Sequence, residues 1–175
     1  MAQSLDPGVS LAWRLLKYRR LLAIAAAVLA ADQATKAWIS LRMPEGTYGE
    51  ASGAIPVVRG LLYIVHVGNT GAAWSMFTGR SYLLAILAAA TLVAIFVGRR
   101  GLGLAAPRTQ ACFGLMCGGI AGNLVDRLVR GHVVDFIDFH FGSYTYPTFN
   151  VADSAIFAGV VLYSLTSLAS PKVAV

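Results

Sequence analysis

The chain has 175 residues, of which 57% are hydrophobic and only 13% charged, and its mean hydropathy is +0.67. An ordinary soluble domain is about a quarter charged, so disorder and a nucleic-acid-binding domain are excluded and a soluble enzyme is disfavoured. The net charge of +6 then reads as basic loops holding the chain against an anionic membrane, and the length leaves room for about four spans.

Residues 1–20 form a cytoplasmic N-terminal extension carrying Arg14, Lys17, Arg19 and Arg20. Residues 21–31 are entirely apolar, as in a signal peptide, and Ala30 and Ala31 could pass for a small-residue cleavage site. The apolar character resumes at Ala37, Trp38, Ile39 and Leu41, so an uncleaved first span over about 21–41 is the preferred reading. Within it Asp32 and Lys36 stand four apart on one helix face and can pair. Ionisable residues inside spans are costly and are functional candidates by default. This pair is either a neutralised structural pair or a direct participant in chemistry.

Segment 42–80 faces outward. Pro44, Gly46, Gly49, Ser52 and Gly53 are turn residues. Residues 55–67 are β-prone through Val57, Val58, Tyr63, Ile64 and Val65, which predicts a small sheet on the outer membrane surface. A second span covers about 81–98, with no charge between Arg80 and Arg99. A third runs over about 109–128. Its Cys112 and Cys117 point about 140° apart on a helix, so they read as small apolar residues and not as a disulfide. Gly118 and Gly122 form a small-xxx-small face for close packing. Asn123 and Arg127 project together from one face, with Asp126 as the adjacent possible partner of Arg127. That group is either a helix-end cap and packing motif or a clamp on substrate carbonyls.

Segment 130–149 faces outward again and is aromatic, with Phe136, Phe139, Phe141, Tyr144, Tyr146 and Phe149, as expected at a membrane–water interface. It also holds Asp135 and Asp138 among apolar neighbours, where desolvation disfavours the charged form. Asn150 offers an N-cap to a fourth span over about 150–169, and Asp153 falls at its third position, where an acid suits the helix dipole. Residues 170–175 form a cytoplasmic tail. Arg99, Arg100, Arg108 and Lys172 share one side with the N-terminal basic group, which places both termini in the cytoplasm. Arg42, Arg59, Arg80 and Arg130 fall on the other side, diluted by Glu45 and Glu50.

Asp135 and Asp153 bracket one outward segment. Two carboxylates sharing a proton are the working parts of an aspartic protease: one takes a proton from water and the other polarises the scissile carbonyl. Other chemistries fit poorly. No His-Glu-x-x-His or Gly-x-Ser-x-Gly is present, and His66, His132 and His140 are scattered, so neither a metal nor an organic cofactor is expected. Spacing alone leaves Asp126 and Asp138 open as alternatives.

Five segments occur in order: Asp-Gln-Ala-Thr-Lys at 32–36, Asn-Thr-Gly-Ala-Ala-Trp-Ser at 69–75, the run 118–127, Val-Val-Asp-Phe at 133–136 and Phe-Asn-Val-Ala-Asp at 149–153. Together they resemble the bacterial lipoprotein signal peptidase family, signal peptidase II, over residues 21–169. The resemblance implies an intramembrane aspartyl endopeptidase that removes the signal peptide from diacylglyceryl-modified prolipoproteins, cleaving before the lipidated cysteine. It implies Asp135 and Asp153 as the catalytic pair, Asn69, Asn123, Arg127 and Asn150 as substrate-binding residues, and Asp32, Lys36, Gly119 and Asp126 as structural support. The fold expected is an all-α membrane protein: a four-transmembrane-helix bundle with a small extracytoplasmic β-sheet cradle and a short lid helix around 71–77. The partners implied are diacylglyceryl prolipoprotein signal peptides, membrane lipid and globomycin-type inhibitors, with no nucleic acid. The chain is expected to be a monomer in the bacterial inner membrane, with its site near the extracytoplasmic face. The rival readings are a small transporter or channel, which would need polar residues across the full membrane depth, and a non-catalytic assembly subunit.

Overall fold

The computed structural model describes residues 16–72, 74 and 76–169. Arg14, Lys172, the tail 170–175 and most of the N-terminal extension lie outside the described residues. Four helices carry the fold: α1 (Arg19–Arg42), α2 (Ser81–Gly98), α3 (Pro107–Val129) and α4 (Val151–Ala169). Each is long and apolar enough to cross a membrane.

Helix α3 lies in the middle of the bundle and packs against the other three. It begins with Pro107, whose missing N–H is no loss in a first turn. Its glycines decide how close the neighbours come. A Cβ on Gly118 would stand 2.7 Å from the Ala25 carbonyl oxygen of α1, and one on Gly119 would run into the Ala152 carbonyl oxygen of α4 and 2.8 Å from Ile156. Between helices in lipid, such backbone approach replaces the hydrophobic effect as the source of cohesion. The small-xxx-small face at Gly118 and Gly122 therefore serves α1, and Gly119 serves α4. Helix α2 buries little beyond Ser81 and Ala85, and its outer face, with Ile86, Val93 and Phe96, is apolar and exposed. Both cysteines are free; Cys112 is buried and Cys117 half-buried.

Strands β1 (Ile55–Val58), β2 (Leu62–Asn69), β3 (Val133–Phe141) and β4 (Tyr144–Thr145) form one antiparallel sheet in that order. The first two fall in the β-prone stretch. Strand β3 is a finding beyond the sequence reading, which treats 130–149 only as an aromatic interfacial segment. Its signal is the β-prone run of Val133, Val134, Phe136 and Ile137; in the strand Val134, Phe136 and Asp138 share one face, and Asp135 and Phe139 lie on the other. Val134 and Phe136 pack against Ile39 and Met43 at the end of α1, which fastens the sheet to the bundle.

A β-bulge sits beside Asp135. Ile64 faces Ile137, but Val67 faces Asp135, so β2 carries one residue more than β3 over that step. The extra residue puts Asn69, which pairs with Val133, on the same face as Asp135. Between Asn69 and Arg80 the described residues make short turns, with Trp74 and Phe77 at φ of 55° and 58°. Residues 73 and 75, inside the expected lid, lie outside the description.

Candidate active site

Capping brings Asp153 into place. Asn150 precedes α4, and its Oδ1 accepts the Asp153 N–H at 2.9 Å, while Asp153 Oδ2 accepts the Asn150 N–H at 3.2 Å. This reciprocal pair is a capping box built from Asn and Asp. A third N–H of the first turn, that of Ala152, donates to Asp32 Oδ1 at 2.9 Å, so a carboxylate of α1 also holds the start of α4.

Asp135 comes from the middle of the sheet and is 3% exposed. Its Oδ1 accepts from Asn150 Nδ2 at 2.7 Å and its Oδ2 from Asn69 Nδ2 at 2.9 Å. Asn150 is thus bonded to both aspartates, to Asp135 through its amide and to Asp153 through the cap. Burial pushes the Asp135 carboxyl up to about 7, and the negative charge of Asp153 adds to the rise; the bonds from Asn69 and Asn150 and the charge of Lys36 act in the opposite direction.

Behind the two aspartates lies a buried ionic core. The Lys36 ammonium is 2.9 Å from Asp32, 2.8 Å from Asp126 and 2.9 Å from Asn123 Oδ1, which occupies its three donors. Asp32, Lys36 and Asp126 are each fully buried. Arg130, one turn beyond Asp126, pairs with it, so two cations meet two carboxylates and the core is neutral. Gln33 Nε2 lies within bonding distance of both Asp32 Oδ2 and Asp126 Oδ1. The two buried carboxylates have matching tasks. Asp126 Oδ2 accepts the Val134 N–H at 3.2 Å, one residue before Asp135, and Asp32 accepts the Ala152 N–H, one residue before Asp153. Lys36 joins the two.

Asp126 therefore pairs with Lys36 and Arg130, and not with its neighbour Arg127 as its sequence position suggested. Arg127 reaches instead across the site, donating to the Asn123 carbonyl at 3.3 Å and to the Gly71 carbonyl at 2.9 Å. Its Nε–H is buried and, among the described residues, without a partner. Asn123 donates through Nδ2 to Asp153 Oδ1 at 2.7 Å. A cavity of about 590 Å³ opens in front of both aspartates, with Phe139, Phe149 and Phe157 among its apolar walls and Asn123 and Arg127 in its polar part.

All ten residues singled out from sequence lie in or directly behind this one cluster, with Gly119 setting the helix spacing. Sequence reading passed over Gln33 and took Arg130 for a loop charge. The usable signal was their spacing: Gln33 lies between the two ionisable residues of a span, and Arg130 lies four residues after Asp126. Asp138 is buried away from the pair, bonded to His140 Nε2 at 2.6 Å. His66 contacts the Met43 carbonyl and His132 faces Glu45, so the histidines stay apart.

A family profile described as Signal peptidase (SPase) II matches residues 24–169. The lipoprotein signal peptidase of Geobacillus kaustophilus (strain HTA426) is 41% identical over 139 residues, covering 79% of this chain and 86% of that one. That of Bacillus subtilis (strain 168) is 38% identical over 152 residues, 83% of this chain and 90% of that one. A bacterial membrane enzyme solved by the in meso method at 2.3 Å superposes with a TM-score of 0.74 at 31% identity, covering 89% of this chain and 94% of the other.

Proposed function

The chain belongs to the signal peptidase II family, and from that premise we propose that it is an intramembrane aspartyl endopeptidase whose catalytic pair is Asp135 and Asp153. Membership makes it a lipoprotein-processing protease and a multi-pass protein of the bacterial inner membrane. The aspartyl mechanism rests on one observation above all: Asn150 is bonded to both carboxylates, so they are held as a unit around one point.

The substrate is a diacylglyceryl prolipoprotein, entering sideways from the bilayer into the aromatic cavity. The unpartnered Nε–H of Arg127 receives a substrate carbonyl. Asn69 and Asn123 each use one amide N–H on a carboxylate and offer the second to the substrate backbone, and Asn150 completes the group by orienting the pair. Positioning of this kind contributes several kcal/mol. Burial makes it unfavourable for both aspartates to ionise, so the pair carries one proton. The ionised member takes a proton from water as the water oxygen bonds to the carbonyl carbon before the lipidated cysteine. The protonated member gives its proton to the carbonyl oxygen. The tetrahedral intermediate then collapses: the C–N bond breaks, the cysteine nitrogen takes up a proton, and the signal peptide leaves with a new carboxyl group. The segment after β2, tethered by Arg127 to the Gly71 carbonyl, is the lid. Both termini face the cytoplasm, the site lies toward the extracytoplasmic face, and the enzyme acts as a monomer.

The test is a cleavage assay on a diacylglyceryl prolipoprotein in proteoliposomes, with and without globomycin. Cleavage before the cysteine, blocked by globomycin and absent in Asp153→Asn, is the expected result. Cleavage by Asp153→Asn at the normal rate overturns the assignment.

A further inference from the structure

Asp135 faces a second cavity besides the aromatic one. This second space measures about 470 Å³. The aromatic cavity takes part of its wall from the bundle, through Asn123 and Arg127 of α3 and Asp153 and Phe157 of α4. None of the described residues lining the second cavity belongs to the four long helices; its walls come from Tyr48, residues 67–70, Trp74, Thr78, residues 145–148 and Asp135. Hydroxyls and amides dominate those walls, with Tyr48, Asn69, Thr70, Thr145 and Thr148. Behind Thr148 lies the buried Asp138 carboxylate, 3.5 Å from its hydroxyl. The Tyr48 phenol is pushed up first by burial and then by the Asp138 charge, with Thr148 acting in the opposite direction. Trp74 and Tyr146 line both cavities and meet edge to face at 6.3 Å between ring centres. Asn69, Asp135, Pro147 and Thr148 are common to both cavities as well.

The substrate class proposed above has a matching division. Ahead of the scissile bond lies the apolar core of a signal peptide, and the lipid on the cysteine is apolar too. The polypeptide after that cysteine is hydrophilic and cannot follow the lipid into hydrocarbon without leaving its backbone groups unsatisfied. We propose that the polar cavity is the subsite for the hydrophilic chain immediately downstream of the lipidated cysteine, with Trp74 and Tyr146 separating that chain from the lipid. This deepens the peptidase reading and rests on it. The hydroxyls of Tyr48, Thr145 and Thr148 supply donors and acceptors for an extended backbone, and none of them depends on a particular side chain. The subsite accordingly selects for polar, extended sequence and not for a motif.

The experiment compares two substrates of the full-length enzyme in proteoliposomes: a diacylglyceryl prolipoprotein peptide with a long polar tail, and the same peptide ending one residue after the cysteine. Thr145→Trp and Thr78→Trp fill the polar cavity from opposite walls, and neither parent residue lines the aromatic cavity. Both variants are expected to lower kcat/KM for the long substrate by roughly tenfold or more and to leave the truncated substrate unchanged. Equal losses on both substrates, or no loss on the long one, overturn the subsite while leaving the peptidase intact. Failure of the unsubstituted enzyme to cleave either substrate overturns the peptidase reading itself, and the subsite with it.

Discussion

The ammonium of Lys36 and the amide of Asn123 meet at 2.9 Å, and that contact decides which end of Asn123 faces Asp153. An ammonium only donates, so Asn123 must present Oδ1 to Lys36 and Nδ2 to Asp153. We expect Asn123→Ala to lower kcat roughly hundredfold through misalignment of the carboxylate, with a smaller change in KM. Steady-state kinetics on the prolipoprotein check this; a raised KM at unchanged kcat would place Asn123 in binding alone.

Lys36 is the sole cation within reach of both Asp32 and Asp126 among the described residues. Lys36→Met leaves those carboxylates buried with only Arg130 to answer them, a loss of about 3–5 kcal/mol. Thermal unfolding in detergent should show a clearly lowered Tm. Lys36→Arg should not restore it, because a planar fork cannot replace three donors around one nitrogen.

The proposed catalytic pair predicts different outcomes at Asp135, Asp138 and Asp153. Asp135→Asn and Asp153→Asn should abolish cleavage while the protein still accumulates in the membrane. Asp138→Asn should keep most activity but lose about 1–3 kcal/mol of stability, since Asp138 is fully buried against His140 and Thr148. An inactive, well-folded Asp138→Asn would mean that the catalytic carboxylate of β3 had been misassigned.

The pH dependence follows from Asp135, whose carboxyl rises from 3.8 to about 7 on folding. Between those values the folded chain holds a proton that the unfolded chain has released. Its contribution to stability is therefore full below about 4 and declines as pH rises toward about 7. Asp135→Asn, which cannot ionise, should gain Tm relative to the parent as pH is raised from 5 to 8. Cleavage by the parent should fall as pH rises through about 7 and the shared proton is lost; a rate still climbing above pH 8 would contradict a one-proton pair.

Gly119→Ala tests helix spacing. The new methyl would meet the Ala152 carbonyl oxygen, one residue before Asp153, at a cost of about 1–3 kcal/mol and with loss of most activity. Gly142→Ala is the control. It lies at φ +63° with open space around it, so about 1 kcal/mol of backbone strain and near-normal cleavage are expected.

The spans were legible because long apolar runs leave few alternatives, and Asn150 with Asp153 was legible because capping is a local rule. The partner of Asp126 was not. Sequence proximity favoured Arg127, whereas helix geometry puts Arg130 on the same face and the fold brings up Lys36 from ninety residues earlier. Strand β3 was hidden because its aromatic residues suit both a sheet and a membrane interface; its pairing partner, β2, lies 64 residues back in sequence, measured from Asn69 to Val133. Spacing left Asp135 and Asp138 open and only the resemblance favoured Asp135; in the strand Asp135 lines the cavity, whereas Asp138 is bonded to His140 and Thr148.

Asp32 and Lys36 also bear on how the protein comes to exist. A chain is made from its N-terminal end, so α1 meets the bilayer before α3 and α4 have been synthesised. A lone aspartate or lysine at mid-span would oppose insertion by about 2.5–3.5 kcal/mol, but these two lie one turn apart and neutralise each other within the newborn helix. Only later do α3 and α4 arrive, bringing Asp126 and the Ala152 N–H to the waiting pair. Asp153 comes with α4, the last of the four described helices, so the proposed catalytic pair is complete only once α1, α2 and α3 have been made.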